Sequence, residues 1–215
     1  MRSMFDQQLK TLNEEMLYMG GLCEDTIQQT IEALMSGDVK KARDLNNMMS
    51  QLTQQERSIE NICLKLLMQQ QPVARDLRTI SSSLKMVTDM ERIGIQACEI
   101  AEIIAAGNVV RATDKVDFQE LSNEVSHMVQ MAMMAYDKKD MNLADEVIKY
   151  DDVVDKLFCD IRGDLIKQLK DDTNDAECFI DMLMIDKYFE RIGDHAVNIA
   201  SWVKFSITGE IQIVE

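Results

Sequence analysis

The sequence predicts an all-α protein: two tandem homologous three-helix bundles built from six long helices. Composition, punctuation and an internal repeat carry that reading. Of 215 residues 46 % are apolar but only 5 % aromatic, with 17 Met, 8 Gly and a single Pro. Sandwiches and barrels need β-branched and aromatic residues and frequent turns, which this mixture lacks.

Sparse Gly, Pro and polar segments divide the chain into six helical runs. The first spans Ser3 to Met35 and stops at Gly37-Asp38, with Gly ending one helix and Asp capping the next. The second, Val39 to Gln70, ends at Gln71-Pro72, where a proline is tolerated in the first turn of the following helix because its missing N–H would have had no partner there. The third spans Val73 to Ala106 and ends at Gly107-Asn108. Phe118 to Tyr136, Leu143 to Leu169 and Ala176 to Ile207 follow, separated by Asp137-Lys138-Lys139-Asp140 and Asp171-Asp172-Thr173-Asn174-Asp175. Leu121, Val125, Met128, Ala132 and Ala135 recur at spacings of three and four, the mark of one buried helical stripe.

The repeat is legible in the chain itself. Glu91-Arg92-Ile93-Gly94-Ile95-Gln96-Ala97-Cys98-Glu99-Ile100-Ala101 matches Glu190-Arg191-Ile192-Gly193-Asp194-His195-Ala196-Val197-Asn198-Ile199-Ala200 at seven of eleven positions, 99 residues apart. In the middle helix the offset is 102, pairing Ala42 with Ala144 and Leu52 with Val154, which predicts a three-residue difference in the following loop. A repeat of ~100 residues is a duplicated domain, not a short solenoid unit, and the division expected is residues 1–110 and 111–215.

A formal charge of −15 argues against nucleic acid and anionic membrane surfaces, both of which need a cationic footprint. No apolar stretch approaches the ~18 residues of a membrane span, and Met1-Arg2-Ser3-Met4-Phe5-Asp6 lacks the core of a signal peptide, so a cytoplasmic location without membrane insertion is expected. Five scattered cysteines, Cys23, Cys63, Cys98, Cys159 and Cys178, form no C-x-x-C pair and read as reduced, buried thiols.

The charge is unequally shared. Residues 1–110 carry 11 basic against 15 acidic residues and 111–215 carry 12 against 23, for formal charges of −4 and −11. Two acidic i, i+4 motifs stand out in the second unit: Asp151-x-x-x-Asp155, with Asp152 beside it, and Glu190-x-x-x-Asp194. Four residues is just over one turn, so each motif sets two carboxylates on one stripe. Two readings stand open, an ordinary solvated face, or facing stripes that gather oxygen ligands around a hard or borderline cation that relieves their repulsion. Gly94 and Gly193 sit mid-helix, where glycine costs roughly 1 kcal/mol relative to alanine, and suggest close helix approach.

Gln71-Pro72-Val73-Ala74-Arg75-Asp76-Leu77-Arg78, Asp89-Met90-Glu91-Arg92-Ile93-Gly94 and Glu190-Arg191-Ile192-Gly193-Asp194, in register over essentially the whole chain, resemble the PhoU family of accessory regulators of bacterial phosphate uptake. That family associates an E(D)-x-x-x-D motif on the second and third helices of each bundle with surface metal clusters. Carried over by resemblance, Asp151, Asp155, Glu190 and Asp194 match it, with Asp152 as an extra ligand and iron or zinc as the divalent or trivalent metal expected. The first unit departs from the pattern: Met49, Ser50 and Thr53 stand where the second has Asp151, Asp152 and Asp155, and Ile95 replaces the final acid. One metal site is therefore expected, not two.

The resemblance further implies a homodimer and two partners, the ATP-binding subunit of the phosphate ABC transporter and the phosphate-regulon sensor histidine kinase. The protein would bridge them as a stoichiometric negative regulator. Arg75 and Arg78 are the candidate partner contacts, a pair of fork-shaped donors in an acidic protein; an intrachain Arg–Asp pair with Asp76 is the alternative. No catalytic residue is assigned, since no phosphate loop, nucleophile elbow or interpretable Cys–His pair is present. A carboxylate-bridged metalloenzyme of helical-bundle type is the alternative function. Glu124-x-x-His127 has di-iron spacing but lacks the second motif such a site requires. His195 flanks the proposed cation site, and the methionines read mostly as gap-filling core.

Overall fold

The computed structural model describes residues 2–69, 72–109, 116–171 and 175–210. The described elements are α1 (Arg2–Ser36), α2 (Val39–Asp44), α3 (Asn46–Gln69), α4 (Ala74–Ala106), α5 (Gln119–Lys138), α6 (Met141–Asp171) and α7 (Ala176–Thr208). Among the described residues there is no strand, and the chain is all-α in two repeats of a three-helix plan, as the sequence predicts.

One boundary differs. The second predicted run is interrupted at Leu45, where Leu45 N–H bonds the carbonyl of Ala42 and Met48 N–H bonds that of Leu45. These i→i+3 bonds tighten the chain locally, and the Leu45 carbonyl also accepts from the Cys98 thiol at 3.7 Å. The matching run in the second repeat, α6, is continuous.

Equivalent turns are built alike. Gly37 (φ 63°) ends α1 and Lys139 (φ 52°) ends α5. Asp38 then accepts from the amides of Lys40 and Lys41, and Asp140 from those of Asn142 and Leu143, so an aspartate caps the next helix in both units. The loops expected to carry the three-residue difference, between α3 and α4 and between α6 and α7, lie largely outside the described residues. Within the described residues, α7 begins three residues nearer its Glu-Arg-Ile-Gly segment than α4 does.

The third helices of the two repeats, α4 and α7, form the most extensive interface; α1 and α3 pack on α4, α5 and α6 pack on α7, and α1 also meets α5. The α4–α7 pair runs antiparallel about the two Glu-Arg-Ile-Gly segments. Asp89 Oδ1 on α4 meets His195 Nδ1 at 2.8 Å and Asn198 Nδ2 at 3.1 Å on α7. In the reverse sense, the Tyr188 hydroxyl hydrogen-bonds Glu99. Tyr188 and Asn198 each stand 99 residues after Asp89 and Glu99, so the two polar contacts are copies of one another about a pseudo-twofold.

The core is aliphatic and methionine-rich. Met16, Met19, Met86, Met90, Met128 and Met182 are buried within it, as expected of gap-filling side chains, while Met4, Met35, Met68, Met134 and Met184 are exposed. Cys23, Cys63 and Cys98 are buried, and burial pushes Cys63 up to about 12 and Cys98 to about 11, where they stay protonated. The expectation of five buried thiols fails at two positions: Cys159 is exposed and Cys178 half-buried. No described helix is long and apolar enough to cross a membrane.

Candidate cation site and basic cleft

The acidic stripes of the second unit meet along the α6–α7 interface. Gly193 faces this seam: a Cβ there would lie 3.4 Å from Val154 and 3.8 Å from Asp151 Oδ1, ordinary contact distances that an alanine could occupy. Asp151 is half-buried, and burial followed by repulsion from Asp155, Asp194, Glu190 and Asp152 pushes its carboxyl up to about 6. The carboxyl of Asp194 is also raised, by the protein packed around it and then by Glu190, with Asp155 adding to the effect. All five sequence-predicted carboxylates thus share one electrostatic neighbourhood. Asp152, Asp155 and Asp194 remain exposed, and Glu190 keeps 13 % of its side-chain surface.

Sequence reasoning missed the cation already there. Lys187, one turn before Glu190, places its ammonium 2.6 Å from both Glu190 oxygens and 5.2 Å from the Phe158 ring centroid. An ammonium between a carboxylate and a ring face is held by both attractions. The donor chemistry of the cluster suits a hard or borderline cation. Among the described residues, however, no three His, Cys, Asp or Glu side chains converge as a ready-made metal site. A shared ion would require Lys187 to release Glu190.

Asp186 was missed as well. It lies one turn below Glu190, is 0 % exposed, and neither carboxylate oxygen has a hydrogen-bond partner. Burial first, then the charge of Glu190, push it up to about 8, so it is protonated at neutral pH. The signal was available: the spacing Asp186, Glu190, Asp194 continues one stripe, and Val87 occupies the place 99 residues earlier.

The first unit is wired differently. Thr53 Oγ1 donates to Glu91 Oε1 at 2.8 Å, so the lone carboxylate is satisfied by a neutral hydroxyl. Met49, Ser50 and Thr53 line a shallow depression with Arg57. His195 is engaged by Asp89, and Glu124 accepts from the Tyr150 hydroxyl, whose ring stacks edge-on with His127 at 5.6 Å.

Arg75 and Arg78 sit on the opening turns of α4 and line a cleft of ≈ 730 Å³ with Lys10 and Lys139. No Arg–Asp ion pair with Asp76 forms among the described residues. Arg78 lies against the end of α7, where a Cβ at Gly209 would stand 3.2 Å from its Cδ and Nη1. That puts a cation beside the negative pole of a helix.

Comparison with known proteins agrees with this architecture. A family model described as the PhoU domain matches twice, over residues 16–104 and 118–203. The chain is 34 % identical over 211 residues to a phosphate-specific transport system accessory protein PhoU homolog of Clostridium acetobutylicum, covering 97 % of this chain and 96 % of that one. It is 32 % identical to the homolog from Pseudomonas aeruginosa, over 95 % and 86 % of the two chains. The crystal structure of PhoU from Pseudomonas aeruginosa superposes with a TM-score of 0.90 at 31 % identity, covering 96 % of this chain and all of that one. The chain belongs to the PhoU family.

Proposed function

We propose that the protein is a non-enzymatic accessory regulator of phosphate transport. It bridges the ATP-binding subunit of the phosphate ABC transporter and the phosphate-regulon sensor kinase, and it represses phosphate-starvation genes when phosphate is abundant. The observation that carries the reading is similarity over 97 % of the chain to a protein named for that transport system. Deleting the gene is expected to switch phosphate-starvation genes on in phosphate-rich medium, and unchanged reporter expression removes the assignment. Pull-down of the ATPase and the kinase from cytoplasmic extract, with and without chelator, tests the bridge and its dependence on metal.

The acidic cluster supports a second element of the proposal. Asp151, Asp155, Glu190 and Asp194, with Asp152, would hold iron or zinc once Lys187 has moved aside, and the ion would neutralise carboxylates that now repel one another. Elemental analysis after iron or zinc loading is expected to find metal in the native chain and to lose it in Glu190→Ala/Asp194→Ala. Less than a trace in the native chain overturns the metal site and leaves the docking role standing.

A further inference from the structure

In a chain of formal charge −15, one cleft runs against the prevailing sign. Lys10, Arg75, Arg78 and Lys139 all line it, drawn from α1, the start of α4 and the end of α5, so side chains from both repeats converge there. Two carboxylates, Asp76 and Asp137, also line it, leaving cations in excess by two. The Nε of Arg78 is buried without a hydrogen-bond partner, a donor whose desolvation is uncompensated in the free protein. One wall is apolar, formed by Leu9, Leu12, Met86 and Ile207.

The volume of ≈ 730 Å³ falls within the range of about 300 to 1,000 Å³ typical of small-molecule sites. It greatly exceeds what a single orthophosphate fills. Guanidinium groups match phosphate oxygens in a two-pronged geometry, and lysines add point charge. A cleft with low-dielectric walls also focuses its field on an entering anion.

We infer that this cleft is an effector site for a small molecule bearing two or more phosphate groups, with Arg75, Arg78, Lys10 and Lys139 taking the phosphates and the apolar wall taking any organic body. Such a ligand would tie the first repeat to the second at the helix ends that carry the proposed partner contacts. The inference is independent of the bridging role, because binding is measured on the isolated chain.

The test is calorimetric titration of the full chain with tripolyphosphate, pyrophosphate, ATP and orthophosphate, in chelator so that the acidic cluster recruits no anion through a bound cation. Saturable binding of tripolyphosphate is expected, weakening as salt rises. Arg75→Gln and Lys139→Gln should each weaken it by roughly tenfold, as loss of one charge-assisted contact implies. Asp137→Asn should tighten it, an outcome a merely structural role for the cleft would not produce. ATP binding tighter than tripolyphosphate assigns the apolar wall to an organic body, and equal affinities assign the site to the phosphates alone; both support the inference. Absence of saturable binding by any polyanion, orthophosphate binding as tightly as tripolyphosphate, or binding indifferent to Arg75→Gln and Lys139→Gln overturns it. Arg75 and Lys139 are exposed, so the decisive variants should fold even where a change at Arg78, packed on Gly209, does not.

Discussion

Gly94 of α4 lies so close to Leu52 of α3 that an added Cβ would stand 2.5 Å from Leu52 Cδ1, whereas the equivalent Gly193 leaves 3.4 Å to Val154. The same contact therefore has different tolerances in the two repeats. Gly94→Ala is expected to destabilise by about 1 to 2 kcal/mol, overpacking outweighing the gain in helix propensity. Gly193→Ala is expected to be neutral or stabilising by up to about 1 kcal/mol. Denaturant unfolding of both variants checks this, and equal losses would refute it. Gly94→Ala/Leu52→Val should recover most of the first loss.

Asp186 holds a proton that an unfolded chain would release at ordinary carboxylate pH. Its folded value is raised, to about 8, so its favourable contribution is complete below about 4 and is lost as pH rises through 8. Asp186→Val, which installs the residue of the sister position Val87, should raise stability by several kcal/mol above pH 8, since it removes a buried carboxylate whose ionisation folding resists. The gain should shrink toward pH 4. Thermal melts of both proteins across this range would show the divergence, and a pH-independent difference would argue against it.

Lys187 serves as the resident counter-ion of Glu190 at 2.6 Å. If a metal takes its place, Lys187→Gln should tighten metal binding by about tenfold, the equivalent of one charge-assisted contact no longer broken on loading. Competitive titration with a metal indicator measures it. Weaker binding in the variant would mean that Lys187 orients the site and does not compete for it.

Lys139 adopts a left-handed conformation, φ 52°, where the first repeat has Gly37. A side chain in that region costs roughly 1 kcal/mol. Lys139→Gly should therefore stabilise the chain by about that amount at the end of α5, as seen in the midpoint of denaturant unfolding.

The His195–Asp89 contact at 2.8 Å crosses between the repeats. A double-mutant cycle with Asp89→Asn and His195→Gln should give a coupling of about 1 kcal/mol. Additivity of the two changes would show that Asn198, which shares the same oxygen, carries the contact alone.

Much of the architecture was legible because it rests on short-range chemistry. Gly37, Asp38, Asp140 and Gly107 terminate or cap helices through bonds to residues a few positions away, and the duplication is visible as identity at fixed offset. The membership of the acidic cluster was legible for the same reason, since i, i+4 spacing places side chains on one stripe whatever lies opposite. The interruption at Leu45 was not, because the thiol that holds its carbonyl, Cys98 on α4, lies 53 residues further along the chain.

By itself the sequence determined an all-α duplicated chain with its acid concentrated in the later repeat, since periodicity, caps and charge are properties of neighbouring residues. Only the tertiary structure decided that Asp89 claims His195, that Lys187 already answers Glu190, that Asp186 is sealed away, and that four distant cations share one cleft. Those outcomes depend on which helix faces which, and that is set by packing between residues up to 109 positions apart.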